Sequence, residues 1–199
     1  MSGSVILASG SDSRKAMLDA AGVPFTAMPA RVDEAEVKRA LLAERASARD
    51  VADALAELKA MRASTSVPAA LVIGADQILV CEGRLHDKAE SREEAREILR
   101  TLRGKPHELV TAAVIAREGA AIWRQVETAR LWMRDFSDAF LDTYLDAEGE
   151  AALGSVGCYR IEGLGAQLFE RVVGDQFAIR GLPLIPLLDA LRVHGALPR

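Results

Sequence analysis

The chain has 199 residues, 50% of them hydrophobic and 27% charged, with a formal net charge of -4 at neutral pH. That length buries a sizeable core as one domain or as two closely packed lobes, and the mild acidity supplies no field for a nucleic-acid backbone, so a bound polyanion has to be small and held by local cations. Two cysteines, Cys81 and Cys158, make neither a disulfide framework nor a zinc site, which points to a reducing cytoplasm. The first apolar run lacks a basic lead-in and is too short for a signal peptide or a membrane span.

The chain opens on Val5-Ile6-Leu7-Ala8, a short strand, followed by Ser9-Gly10-Ser11-Asp12-Ser13-Arg14-Lys15. Small hydroxyl residues lead straight into a helical pattern carrying Met17 and Leu18 and stopping at Gly22. Such a loop at a helix N-terminus is an oxyanion cradle, to which Arg14 adds a fork of donors and Lys15 a point charge. The same residues also suit an ordinary N-cap, and no Walker A pattern is present. Val23–Met28 reads as a second strand. The stretch from Asp33 to about Ser64 reads as one or two amphipathic helices with apolar positions at Val51, Leu55 and Leu58, broken near 47–50, where Asp50 is the expected cap.

Ala69–Ala75 is a continuous apolar run of strand length, as expected of a strand covered on both faces, and it ends at Asp76. Gln77–Cys81 continues extended to a Glu82-Gly83 turn. Ser91 with Glu94 matches a capping box for a helix that stops by Gly104. Residues 109–116 and 120–133 form an expected hairpin around Glu118-Gly119. A helix capped by Ser137 ends near Gly149, a Gly-rich stretch follows, Leu168–Val173 is a strand, and a final helix runs from Leu184 to Val193. Mixed strands, helices and hairpins predict an α/β fold: a mixed twisted sheet flanked by helices, within a single domain spanning residues 1–199.

Asp76 is the strongest single candidate outside the opening loop, because a carboxylate after a buried strand can hold a divalent metal or take a proton from water. Glu34, at a helix start, serves the helix dipole as readily as a ligand, and Lys59 and Lys88 are individually ordinary. His86, His107 and His194 show no metal-ligand spacing.

Leu7-Ala8-Ser9-Gly10-Ser11-Asp12-Ser13-Arg14-Lys15 resembles the LASxSPRRxELL opening of the Maf family of nucleoside triphosphate pyrophosphatases. The resemblance continues in order through Val32-Asp33-Glu34, Leu58-Lys59-Ala60, Gly74-Ala75-Asp76, Asp87-Lys88, Gly157-Cys158-Tyr159, Glu162-Gly163-Leu164-Gly165 and Gly181-Leu182-Pro183-Leu184. It implies two lobes with a nucleotide cleft, a homodimer, and hydrolysis of NTP to NMP and pyrophosphate with Mg²⁺ or Mn²⁺. It assigns phosphate binding to Ser9, Ser11 and Arg14. It gives Asp76, Glu34, Lys59 and Lys88 to the catalytic set, with Glu34 and Asp76 as metal ligands. The family divides by substrate at three positions, which here are Ser13, Gln77 and Glu162. None of the three matches the dTTP and UTP branch, and Gln77 and Glu162 resemble the branch that prefers 7-methyl-GTP, as does Leu168-Phe169-Glu170-Arg171. The chain departs from the family at Asp12, Ser13, Ala16 and Ala89. The expected partner is a nucleotide, with no nucleic acid or membrane. A dTTP/UTP pyrophosphatase and a nucleotide-binding regulator of cell division without turnover stand as the alternatives.

Overall fold

A computed structural model describes residues 4–198. Its seven-stranded sheet runs β2-β1-β3-β5-β6-β7, with β4 paired to β3, and helices flank it. The strands are β1 (Val5–Leu7), β2 (Thr26–Ala27), β3 (Leu71–Cys81), β4 (Arg84–His86), β5 (Pro106–Arg117), β6 (Ala120–Met133) and β7 (Phe169–Val173). β1 is parallel to β2 and β3, whereas β3–β4 and β6–β7 are antiparallel, so the sheet is mixed as expected. The helices are α1 (Asp12–Ala20), α2 (Glu34–Ala43), α3 (Ala48–Ser64), α4 (Arg92–Leu102), α5 (Asp138–Glu148), α6 (Gln176–Ile179) and α7 (Leu184–Val193).

The chain divides into two compact units. One holds the described residues up to Gln77, Thr111–Glu127, and those from Asp175 onward; the other holds Ile78–Val110 and Thr128–Gly174. In the first unit, strand alternation sorts the core onto two faces. Val5, Leu7, Leu71, Ile73 and Ala75 join Met17 and Leu18 of α1 and Leu184, Leu187 and Leu191 of α7. Ile6, Ala8 and Val72 join Ala63 of α3 on the other face. Both faces of β3 are therefore covered, which is why its sequence reads as an unbroken apolar run.

The second unit contains β4, α4, α5 and β7. Arg96 and Arg100 of α4 donate to Asp142 and Asp138 of α5, and the bonds from Arg100 and Arg103 hold the Asp138 carboxyl down at about 2. Tight turns follow their dihedral demands. Glu82-Gly83 and Glu118-Gly119 both have positive φ at each residue, the requirement of a type I′ hairpin.

Several local expectations are corrected. Ser47, not Asp50, caps α3; Asp50 is the reciprocal partner, its carboxylate accepting from the Ser47 backbone at 3.0 Å. Glu94 reaches back one residue further than a capping box, accepting from the Glu90 N–H at 2.8 Å, while Ser91 accepts from Glu94 N–H. The Gly-rich stretch contains two 3₁₀ turns, at Gly149–Gly154 and Leu164–Leu168, and α6 was not anticipated. As expected, the chain stays extended beyond Asp76, and Leu71–Cys81 is one strand.

Candidate active site

Every residue from the opening loop to Gln77 that the sequence singled out lies in the first unit. Ser11 caps α1, its hydroxyl accepting from the Arg14 N–H. The buried Ser9 hydroxyl accepts from the Ser11 N–H at 3.2 Å and from Arg14 Nη1 at 3.1 Å. Arg14 Nη1 also donates to the Ala75 carbonyl at 2.9 Å, and its Nε donates to the Gly181 carbonyl at 2.7 Å. Two of its three guanidinium nitrogens thus fasten the loop to β3 and to the segment after α6. Lys15 pairs with Asp12 at 2.6 Å on the surface, where such a pair contributes little.

The chemical centre is a three-residue contact. Lys59 Nζ lies 2.6 Å from Asp76 Oδ1 and 2.9 Å from Glu34 Oε2. Asp76 is 6% exposed and Lys59 7%, whereas half of the Glu34 side chain is open to solvent. The buried stripe of α3 is Val51, Ala52, Leu55, Ala56, Lys59, Ala60 and Ala63. Lys59 therefore occupies the core position that the repeat would give to an aliphatic residue, and Leu58 is only half-buried. The close approach is made possible by Gly74. A Cβ there would lie 2.5 Å from the Ala60 nitrogen and closer still to the Ala56 carbonyl oxygen. Glu34 opens α2, with Asp33 as the N-cap accepting from the Glu36 N–H at 2.9 Å.

Burial pushes the Asp76 carboxyl above its ordinary range, while the Lys59 ammonium and the Arg14 guanidinium pull the other way. Burial likewise lowers Arg14, against the attraction of Asp76 and Glu34. Two cations and two carboxylates make a formally neutral cluster, and a buried carboxylate whose pKa is raised is a competent proton acceptor. Among the described residues no group of three or more His, Cys, Asp or Glu is arranged to hold a metal. The pair Glu34 and Asp76, converging on one cationic point, does match the one or two carboxylates by which Mg²⁺ is bound when phosphate oxygens and water complete its shell.

Ser13 and Gln77 point elsewhere. The Ser13 hydroxyl donates to the Arg180 carbonyl at 3.0 Å. Gln77 Nε2 faces Thr111 Oγ1 at 2.8 Å, the Ala178 carbonyl at 3.0 Å and the Ile179 carbonyl at 3.1 Å. Asp76 and Gln77 are neighbours in a strand, so they face opposite sides of the sheet, α3 on one and α6 on the other. Sequence reasoning missed Thr111 and the 178–181 carbonyls; their contacts span up to 167 positions, and only the Gly181-Leu182-Pro183 fragment hinted at them. Lys88 and Glu162 belong to the second unit. Lys88 is exposed just after β4, and Glu162 Oε1 lies 3.8 Å from Arg160 Nε.

Comparison with known proteins finds relatives along nearly the whole chain. A relative from Caulobacter vibrioides is 56% identical over 193 residues, covering 97% of this chain and 96% of its own length. One from Granulibacter bethesdensis is 54% identical, covering 97% and 98%, and one from Hyphomonas neptunium is 48% identical over the full length of both. Each bears the name nucleoside triphosphate pyrophosphatase. The family described as Maf-like protein matches residues 4–194, and the chain belongs to it.

Proposed function

We propose that the protein is a nucleoside triphosphate pyrophosphatase, hydrolysing the α–β phosphoanhydride bond to a nucleoside monophosphate and pyrophosphate. The observation that carries this reading is the Glu34–Lys59–Asp76 contact, with a single buried ammonium 2.6 and 2.9 Å from two carboxylates. It stands in the same unit as the Ser9–Ser11 loop, and the names of the relatives agree with it.

Phosphoanhydride hydrolysis is mostly a matter of positioning and charge neutralisation. Asp76 accepts the proton of the attacking water, helped by the burial that raises its pKa. Lys59 fixes the Asp76 carboxylate and offers its ammonium to developing charge on the phosphate. Ser9, Ser11 and the α1 N-terminus receive phosphate oxygens, with Arg14 holding Ser9 in place. Lys88 carries the further phosphate charge that the family resemblance assigns it. The four charges of the central cluster cancel, so a triphosphate calls for an added cation. Glu34 and Asp76 would hold Mg²⁺ or Mn²⁺, which when bound polarises the phosphoryl oxygens and neutralises the leaving pyrophosphate. The two cysteines are free and buried, in keeping with a reducing cytoplasm.

For substrate, the reading is 7-methyl-GTP. A guanine edge offers two adjacent donors that one carboxylate accepts together, and N7 methylation adds a positive charge that a glutamine does not answer. Glu162, the position that the family resemblance gives to base choice, carries that discrimination in this reading. The test is turnover on a panel of GTP, 7-methyl-GTP, dTTP and UTP with Mg²⁺ and Mn²⁺, with products read by phosphorus NMR. Monophosphate plus pyrophosphate is expected, with the highest kcat/KM on 7-methyl-GTP. Glu162→Gln should erode that preference by about 2 kcal/mol, the worth of a doubly hydrogen-bonded carboxylate. A diphosphate with orthophosphate contradicts the chemistry, a dTTP or UTP preference contradicts the substrate, and binding without turnover identifies a regulator instead.

A further inference from the structure

Four successive carbonyls, Ala178 to Gly181, are each taken by a side chain from elsewhere in the first unit. Gln77 of β3 donates to the Ala178 and Ile179 carbonyls. Thr111 of β5 donates to the Ala178 carbonyl at 2.9 Å while accepting from Gln77. Ser13 of α1 donates to the Arg180 carbonyl and Arg14 to the Gly181 carbonyl. The Ala178 carbonyl also accepts from the Gly181 N–H at 2.9 Å as the chain leaves α6, and side chains of two strands and of the phosphate-loop helix take up this run of carbonyls together. Orientation of the Gln77 amide is unambiguous, because two of the groups facing it are carbonyl oxygens and only the NH₂ end can answer them. Thr111 is 1% exposed, so its hydroxyl has no alternative in water.

We propose that Thr111, Gln77 and Ser13 are positioning residues, joined through the Ala178–Gly181 carbonyls into one latch that sets α1 and its Ser9–Arg14 loop against β3. This rests on the pyrophosphatase reading and changes what two of its specificity positions do. Residues 13 and 77 influence the substrate by holding the loop, not by touching the base. Geometry argues for this directly: Gln77 points to the face of β3 opposite Asp76, and the Ser13 hydroxyl is spent on a carbonyl. Arg14 completes the link, as its Nε holds the Gly181 carbonyl while its Nη1 holds Ser9 and the carbonyl of Ala75, next to Asp76.

The experiment is a double-mutant cycle in kcat/KM for triphosphate hydrolysis, using Thr111→Val, Ser13→Ala and the pair, with Thr111→Ser as the rescue. Thr111→Val keeps the shape and leaves Gln77 two carbonyls to bind, so the protein is expected to fold. Each single change should lower kcat/KM about tenfold, roughly one lost hydrogen bond, and the double little more than either alone, because both break the same latch. Thr111→Ser should restore activity. Independent structural roles would instead multiply to about 100-fold, and that result, or a wild-type-like Thr111→Val, overturns the latch. Thermal unfolding of each variant separates loss of stability from loss of positioning, since a role in stability alone would move Tm and leave kcat/KM of the folded enzyme unchanged. Wild-type turnover is measured first: an inactive wild type overturns the functional reading, whereas an active one with an unaffected Thr111→Val overturns the latch alone.

Discussion

Each unit buries a polar cluster, and the two are managed in opposite ways. In the first unit, Lys59 is paired with the buried Asp76 and with Glu34 at the rim, while Arg14 is bonded to Ser9 and to the Ala75 and Gly181 carbonyls. In the second, His107 Nε2 and the Tyr159 hydroxyl share a hydrogen bond of 2.7 Å, and both rings pack on Phe169. The Tyr144 hydroxyl donates to the carbonyl of Cys158. There burial acts almost unopposed: it lowers His107 to about 4, raises Cys158 to about 11 and raises both tyrosines, so every group rests in its neutral form. Neutrality avoids the several kcal/mol per ion that burying a charge costs. The contrast marks the first cluster, with its ammonium, guanidinium and two carboxyl groups, as the one whose side chains have charge to offer a ligand.

Removing a charge from the first cluster is the severest way to break this contrast. Asp76→Asn keeps the size and the packing against α3 but takes away the proposed proton acceptor. Turnover should fall by about 10²–10⁴-fold, the range of general acid–base contributions, while circular dichroism stays that of the wild type. Near-normal turnover by the folded variant would remove Asp76 from the mechanism.

The neutral cluster is probed with pH. The folded His107 titrates at about 4, below its ordinary 6.5, so between these values the unfolded chain binds more protons than the folded one. Its contribution to stability is complete above pH 6.5 and is lost as pH falls toward 4, on the order of 3 kcal/mol in all. Its Nδ1 is buried with no protein partner among the described residues, so a second ring proton there has nowhere to bond. Urea unfolding of the wild type and of His107→Phe between pH 7 and pH 4.5 isolates the effect. The variant keeps the ring contacts and should show the shallower slope, and equal slopes would mean that His107 takes up its proton in the fold at the same pH as in the unfolded chain.

What could be read from the chain follows the range of the interactions. Helices α5 and α7 lie where Ser137, Gly149 and Gly195 place them, and both I′ hairpins follow from Glu-Gly pairs, because caps and turns are decided within a few residues. The cap of α3 was misread at Asp50 because Ser47 and Asp50 are both good capping residues and trade bonds reciprocally. Without the family resemblance, Lys59 reads as an ordinary lysine. That it lies within the buried face of α3, and meets Asp76, depends on the register of that helix against β3, which no local pattern encodes. Gln77 and Ser13 show the limit most clearly, since their partners lie 101 to 167 positions away and are backbone carbonyls, to which side-chain identity is irrelevant.

That register is itself testable at Gly74, where the effect on function is more telling than the effect on stability. Gly74 lies on the face of β3 that meets α3, two residues before Asp76, and a methyl there would press on the backbone of Ala56 and Ala60. Backbone cannot swing aside as a flexible side chain does, so in Gly74→Ala the helix must move outward as a unit. Overpacking of this kind costs about 1–3 kcal/mol, which a domain of this size tolerates. Lys59 precedes Ala60 and is carried away with it, stretching the 2.6 Å contact to Asp76 and leaving the carboxylate buried with less compensation. Turnover should therefore fall further than the loss of Tm explains, and the pH at which activity rises should move upward as Asp76 loses its cation. Gly154→Ala is the control, because a Cβ there meets nothing within 4 Å. The neutral cluster of the second unit is held by ring contacts rather than by a helix seated on a glycine, so its acid-unfolding slope should be the same in Gly74→Ala as in the wild type. A Gly74→Ala protein with wild-type Tm and turnover would show that α3 has slack at this point and that close backbone approach does not set the charged cluster.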